Sequence, residues 1–154
     1  MLTASEIEEI KSEVKRAGPG LGASVEALKI VQRQRRWVPD EELEEVSNLL
    51  GVTTHELDAV ATFYSFIFRR PVGENLISVC DGPVCWMMGG QMLMDTIKAE
   101  LGIGLGETTG DGKFTFLPIS CIGLCDKAPA MMINDDVYGD LTPERVKEAL
   151  EKYK

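Results

Sequence analysis

The sequence predicts an α+β fold in which an N-terminal helical bundle, residues 1–72, is followed by a smaller region of mixed strands and helices, residues 73–154. Three observations carry this. Apolar residues recur at helical spacing as far as the aromatic stretch Phe63 to Phe68; β-prone runs separated by single helices take over after residue 73; and Arg69-Arg70-Pro71 falls between the two rhythms.

In the first region, Thr3-Ala4-Ser5-Glu6 fits a capping box, and Ile7, Ile10 and Val14 follow at helical spacing until Gly18-Pro19-Gly20 stops the pattern. A second helix is expected after Ser24, burying Val25, Leu28 and Val31. It should end near Trp37, because Pro39 disfavours helical geometry at Val38. Asp40 is placed to cap a third helix carrying Leu43, Val46 and Leu50, with Gly51 as its stop. Thr53-Thr54-His55-Glu56 is a second capping box and opens a fourth helix with Leu57, Val60, Ala61 and Tyr64 on one face. Four short amphipathic helices of this kind offer an apolar face to something larger.

In the second region, Leu76 to Cys80 is a β-prone run and Trp86 to Leu101 reads as a helix with Leu93, Ile97 and Leu101 inward, ended by Gly102. Phe114 to Ile119 is a second strand. Ala130 to Ile133 and Val137 to Tyr138 flank an Asn134-Asp135-Asp136 turn and read as a hairpin. Thr142 and Pro143 then start a last helix with Val146, Ala149, Leu150 and Tyr153 on one face. The order β, α, β, β, β, α is that of a compact thioredoxin-like sheet.

Composition narrows the function classes. The net charge is -9: nine basic and twelve acidic residues leave -3 over residues 1–70, and seven basic and thirteen acidic leave -6 over residues 71–154. Such a chain repels nucleic acid. The cluster Arg33, Arg35 and Arg36 near a helix end reads as a solvated face or a partner for the helix dipole, with a docking patch as the alternative. No apolar stretch approaches the roughly 20 residues of a membrane span, so direct membrane insertion is not expected. The start Met1-Leu2-Thr3-Ala4-Ser5-Glu6 lacks a basic segment followed by an apolar run, and a cytoplasmic location is expected.

In that compartment thiols stay reduced, so Cys80, Cys85, Cys121 and Cys125 are candidates for metal or redox chemistry before structural disulfides. They fall as C-x4-C, then 35 intervening residues, then C-x3-C. Cys80 ends the first predicted strand and Cys121 follows the second. If a helical crossover makes those strands parallel, their C-terminal ends share one sheet edge and the distant pairs converge. The intervening loops contain Gly82 and Gly123, which let backbone amides approach an anion. A [2Fe-2S] cluster with four thiolates carries a formal charge of about -2 and needs such donors. Apolar Val84, Trp86, Ile122 and Leu124 beside the cysteines would restrict water, or are simply core residues at strand ends. A structural zinc ion held by the same four thiolates, in a module that only scaffolds a partner, is the rival, although zinc ribbons favour paired C-x2-C knuckles; a thioredoxin-type disulfide would want C-x-x-C.

Absent motifs also count. A single histidine, His55, excludes a Rieske centre and H-E-x-x-H metal chemistry. There is no phosphate-binding G-x-x-x-x-G-K-[ST], and Gly102-Ile103-Gly104-Leu105-Gly106 lacks the spacing of a dinucleotide fingerprint, so no NADH site and no catalytic residue are assigned to this chain.

The cysteine quartet, together with Val60-Ala61-Thr62-Phe63-Tyr64-Ser65, Gly106-Glu107-Thr108-Thr109, Cys121-Ile122-Gly123-Leu124-Cys125 and Leu141-Thr142-Pro143-Glu144, resembles the thioredoxin-like [2Fe-2S] subunits (E-type) of bacterial NADH:quinone oxidoreductase, respiratory complex I. The resemblance covers nearly the whole chain, including the helices that a free thioredoxin-like ferredoxin would lack. It implies a thioredoxin-like [2Fe-2S] domain with Cys80, Cys85, Cys121 and Cys125 as ligands. It also implies one-electron exchange with FMN in an F-type flavoprotein that binds NADH, other peripheral-arm subunits as partners, and a place on the cytoplasmic side of the inner membrane through the complex. Related subunits occur in NAD-linked formate dehydrogenases and hydrogenases. Pro129 lies where thioredoxin-like proteins often carry a cis-proline.

Overall fold

The computed structural model describes residues 1–154, which divide into two compact units, Met1–Pro71 and Val72–Lys154. No helix is long and apolar enough to cross a membrane.

The first unit is helical: α1 (Ala4–Ala17), α2 (Ser24–Arg35), α3 (Asp40–Leu50) and α4 (Thr54–Phe63), with a 3-10 turn at Gly20–Ala23. Both capping boxes form as the sequence predicts. The Thr3 hydroxyl accepts the Glu6 amide while the Glu6 carboxylate accepts the Thr3 amide at 2.7 Å, and Thr53 and Glu56 repeat the exchange. Ile10, Leu28, Val31, Val46 and Leu57 form a dry core between the helices.

Three local details differ from the sequence reading. Helix α2 ends at Arg35 rather than near Trp37, because Arg36 turns left-handed (φ 68) and its amide closes on the Gln32 carbonyl. Asp40 is the first residue of α3, not its cap; its carboxylate instead accepts from Arg69 at 2.6 Å. Tyr64 lies just past the end of α4 and is 46% exposed.

The basic cluster also divides. Arg33 reaches Glu9 at the surface, whereas Arg35 turns inward to Glu6 and Glu42. Glu6 is only 1% exposed. Hydrogen bonds from Arg35, opposed by burial and helped by Thr3, hold its carboxyl down to about 2. A buried carboxylate is tolerated here because a guanidinium fork satisfies it.

The second unit is a four-stranded sheet of order β2-β1-β3-β4, built from β1 (Asn75–Cys80), β2 (Phe114–Ile119), β3 (Met131–Ile133) and β4 (Asp136–Tyr138). Strands β1 and β2 run parallel, joined by a helical crossover, while β3 and β4 form an antiparallel hairpin on the other side of β1. A short turn α5 (Pro83–Cys85) follows β1. Helices α6 (Gln91–Leu101) and α7 (Pro143–Glu151) carry Leu93, Ile97, Val146 and Leu150 onto Ile77, Phe116, Met131 and Ile133. Thr142 caps α7 by accepting the Arg145 amide, with Pro143 in the first turn. The Ala128–Pro129 peptide is cis.

The single helix expected from Trp86 to Leu101 is broken. Immediately after α5, a π-helical turn spans Trp86–Gly90, and only then does α6 begin. Gly89, at φ 105 and ψ 24, makes the break. Glycine adopts that conformation without the steric cost any other residue would meet. Cys85 is thereby on a separate turn from α6, and Trp86, Met87 and Met88 face outward.

Candidate metal centre

Cys80 is the last residue of β1 and pairs in register with Ile119, the last residue of parallel β2. Cys121 therefore emerges from the same sheet edge two residues later. The converging edge inferred from the strand order is present. Cys85 sits one short turn beyond Cys80, and Cys125 opens a 3-10 turn after Gly123.

The four thiols form a connected string. Cys80 is in hydrogen-bonding contact with Cys85 and with Cys121, and Cys121 is in contact with Cys125. None is in a disulfide. No three cysteine, histidine or acidic side chains are grouped so as to hold a metal ion as they stand. The string is graded in exposure: Cys80 and Cys85 are buried at 2% and 1%, whereas Cys121 and Cys125 are exposed.

Backbone amides point at the sulfurs. Burial pushes the Cys80 thiol up, but the amides of Gly82 and Ile122 and the contacts with Cys85 and Cys121 outweigh it, leaving its pKa below the ordinary thiol value. Burial and the neighbouring Cys80 push Cys85 up to about 11 against the Ala130 amide. Contact with Cys121 raises Cys125. The Gly123 amide donates to the Cys121 sulfur at 3.4 Å, with Gly123 at φ 77. Space is tight around these donors: a Cβ on Gly82 would lie 3.1 Å from the Ser120 carbonyl oxygen and 3.4 Å from the Cys80 sulfur.

The donor set suits a two-iron cluster. Four thiols supply all the ligands, and several oriented N–H groups offset the negative charge of an iron-sulfur core. Val84, Ile122, Leu124, Ala128 and Ala130 pack around Cys80 and Cys85 and screen that side from water, so the expected apolar shell is present apart from Trp86, which is 67% exposed. The sequence reading anticipated amides from the glycine loops. It missed the Ala130 amide, which follows the cis-proline and reaches Cys85 from the leading end of β3; the Cys80 amide in turn donates to the Ala130 carbonyl at 3.1 Å. His55 is exposed in the helical unit, on the first turn of α4.

Comparison with known proteins agrees with this chemistry. Residues 7–154 match the thioredoxin-like [2Fe-2S] ferredoxin family. The chain is 48% identical over 153 residues to the E-type subunit of the NADH-quinone oxidoreductase of Pseudomonas aeruginosa, covering 99% of this chain and 92% of that protein. It is 47% identical over the same length to the corresponding subunit from Escherichia coli, with the same coverage of each. Among solved structures, it is similar to a chain of an NAD+-reducing [NiFe]-hydrogenase in the air-oxidised state, with 29% identity and a TM-score of 0.71. That likeness covers 90% of this chain but only 23% of the hydrogenase chain, so this protein spans about a quarter of that polypeptide.

Proposed function

We propose, from the premise that this chain belongs to the thioredoxin-like [2Fe-2S] ferredoxin family, that Cys80, Cys85, Cys121 and Cys125 hold its [2Fe-2S] cluster and that the chain is the electron-transfer subunit of an NADH:quinone oxidoreductase. The observation that carries the reading is the meeting of four free thiols at the shared end of two parallel strands, under converging backbone amides. A cluster bound there takes up and releases one electron at a time. The protein's part is to hold it: Cys80 and Cys85 seat it in the apolar end of the sheet, and the loop Cys121–Cys125 presents the other side toward a redox partner.

Similarity along nearly the whole chain to the E-type subunits of two bacterial enzymes supports membership of a multisubunit oxidoreductase. The partner in this reading is an F-type flavoprotein that carries FMN and oxidises NADH, with other peripheral-arm subunits beside it. The whole sits on the cytoplasmic face of the inner membrane. Hydride chemistry belongs to that flavoprotein, and single electrons reach this chain.

Anaerobic purification tests the assignment. The protein should be brown, hold about two irons and two acid-labile sulfides, and give a rhombic EPR signal on reduction. Stoichiometric zinc in a colourless folded protein would sink the cluster. The second reading is the equivalent subunit of a soluble NAD-linked hydrogenase or formate dehydrogenase, favoured by the hydrogenase likeness. Native co-purification separates the two: membrane subunits with the flavoprotein support complex I, and a hydrogenase or formate dehydrogenase subunit supports the soluble relative.

A further inference from the structure

Gly139 follows directly on β4, fourteen residues beyond Cys125. It is not among the residues with positive φ, so its conformation does not require a glycine. What excludes a side chain there is space. A Cβ would lie 2.7 Å from Lys127 Cβ, 2.9 Å from Leu124 Cδ2 and 2.9 Å from the Lys127 carbonyl oxygen. Carbon atoms pack at about 3.5–4.0 Å, so a single methyl group at this position would push the Leu124 to Lys127 turn away.

That turn belongs to the cysteine site. Cys125 lies within it, and the Lys127 amide closes it on the Leu124 carbonyl at 3.1 Å. Leu124, at one end, packs against the group that contains buried Cys80 and Cys85. Lys127, at the other end, is tied to the chain beside Gly139: its carbonyl accepts the Asp140 amide at 2.6 Å, and the Pro129 carbonyl accepts the Leu141 amide at 3.2 Å. The Asp140 carbonyl is held in turn by Arg145 Nη1, from α7, at 3.0 Å. The exposed thiol of Cys125 thus rides on a turn whose back rests on the backbone at Gly139.

From this we infer that Gly139 is a positioning residue for the cluster, an inference that rests on the ligand set proposed above. It acts through Leu124 and Lys127. Because it has no side chain, the turn settles against the strand end, Leu124 covers the Cys80 and Cys85 side of the site, and Cys125 stays in contact with Cys121. A methyl group at Gly139 displaces the turn, and two consequences follow. Cys125 shifts relative to Cys80, which the β1–β2 ladder holds in place, and water gains access to the apolar side of the site. Outer residues of this kind set how firmly a metal centre is retained without bonding to it.

The full chain with its iron bound tests this. Gly139→Ala should release iron to a chelator about tenfold faster than wild type and shift the g-values of the reduced EPR signal. A clash could act simply by weakening the fold, so Gly73→Ala is the comparison. A Cβ on Gly73 would lie 2.9 Å from the Gly112 carbonyl oxygen and 2.9 Å from the Phe114 carbonyl carbon, at the end of the β1–β2 pair away from the cysteines. Gly73→Ala should lower the unfolding midpoint while its iron release and EPR signal match wild type. Equal release from Gly139→Ala and wild type, or faster release from both variants in step with their lost stability, overturns the inference. Should Gly139→Ala not fold, Leu124→Ala decides, since it thins the same cover without a clash: faster release upholds the role, and wild-type release overturns it. A wild type that purifies without iron defeats the cluster reading instead, and alkylation of its thiols then decides the positioning. Faster modification of Cys85 in Gly139→Ala than in wild type upholds it, and equal rates overturn it.

Discussion

Cys80 and Ile119 face each other on the last rung of the parallel β1–β2 ladder. That pairing brings Cys121 to the side of Cys80, although forty residues separate them in the chain. It also sets a depth gradient, since Cys80 ends inside the sheet while Cys121 begins an exposed loop. The two cysteine pairs should therefore respond differently to substitution. Cys80→Ser or Cys85→Ser places a hydroxyl in an apolar site and should lose most bound iron and sulfide. Cys125→Ser, at the exposed side, should keep an altered cluster with shifted visible absorption. Iron and acid-labile sulfide assays on anaerobically prepared variants decide it; equal retention across all four positions would show that depth does not matter.

The break at Gly89 positions Cys85 independently of α6. At φ 105 this residue has a conformation that costs an L-side chain roughly 1–2 kcal/mol. Gly89→Ala should lower stability by about that amount. Strain relieved by straightening the π turn would move Cys85, so the same variant should bleach faster in air. Gly110→Ala, in open space, is the control and should alter neither property. Thermal unfolding and the decay of visible absorbance report the two effects.

Much of this architecture was legible because the signals are local. Both capping boxes, the Phe114–Ile119 strand, the turn at Asn134 and the Thr142-Pro143 helix start depend on neighbours within four residues. The cysteine site was legible for a different reason: two strand ends and a crossover suffice to place distant thiols together. What was not legible depended on partners far along the chain. Arg35 looked like one of three surface cations until the fold brought Glu6 to it from 29 residues away. Asp40 looked like a cap, and Arg69 claimed it instead. The π turn was hidden because Trp86-Met87-Met88 continues a helical apolar pattern, and only the backbone at Gly89 reveals the break.

The Arg35–Glu6 pair should make the helical unit acid-sensitive. Glu6 has its folded pKa lowered to about 2 by hydrogen bonds from Arg35, against an ordinary value of 4.5. A group depressed on folding contributes stability that is fully present above the unfolded pKa and is lost as pH falls through the folded one. Stability should thus decline between about pH 4.5 and 2, with the Glu42 carboxylate, also held down by the N-terminal amine, adding in the same direction. Glu6→Gln should remove most of the Glu6 part of that dependence. At pH 7 it should cost about 3 kcal/mol, because the half-buried Arg35 loses one of its two carboxylates. Urea unfolding of wild type and variant at pH 7 and pH 3.5 measures both; parallel pH dependences would refute the assignment.

Asn134 does two jobs at the β3–β4 turn, and two substitutions separate them. Its φ of 53 places it in the left-handed region, and its amide donates to the Leu76 carbonyl at 2.9 Å. Its side chain then continues the ladder, with Oδ1 accepting the Leu76 amide at 2.9 Å and Nδ2 donating to Asn75 Oδ1 at 3.0 Å. Asn134→Gly keeps the backbone conformation and loses only the side-chain bonds, which at an exposed site should cost about 1 kcal/mol. Asn134→Ala loses those bonds and adds the left-handed penalty, for about 2 kcal/mol in all. Neither change touches a cysteine, so iron content should stay at the wild-type level in both. The order of the two unfolding midpoints is the decisive result: if Asn134→Gly is the less stable variant, chain entropy at the turn outweighs the left-handed strain, and the geometry assigned to Asn134 does not govern the hairpin.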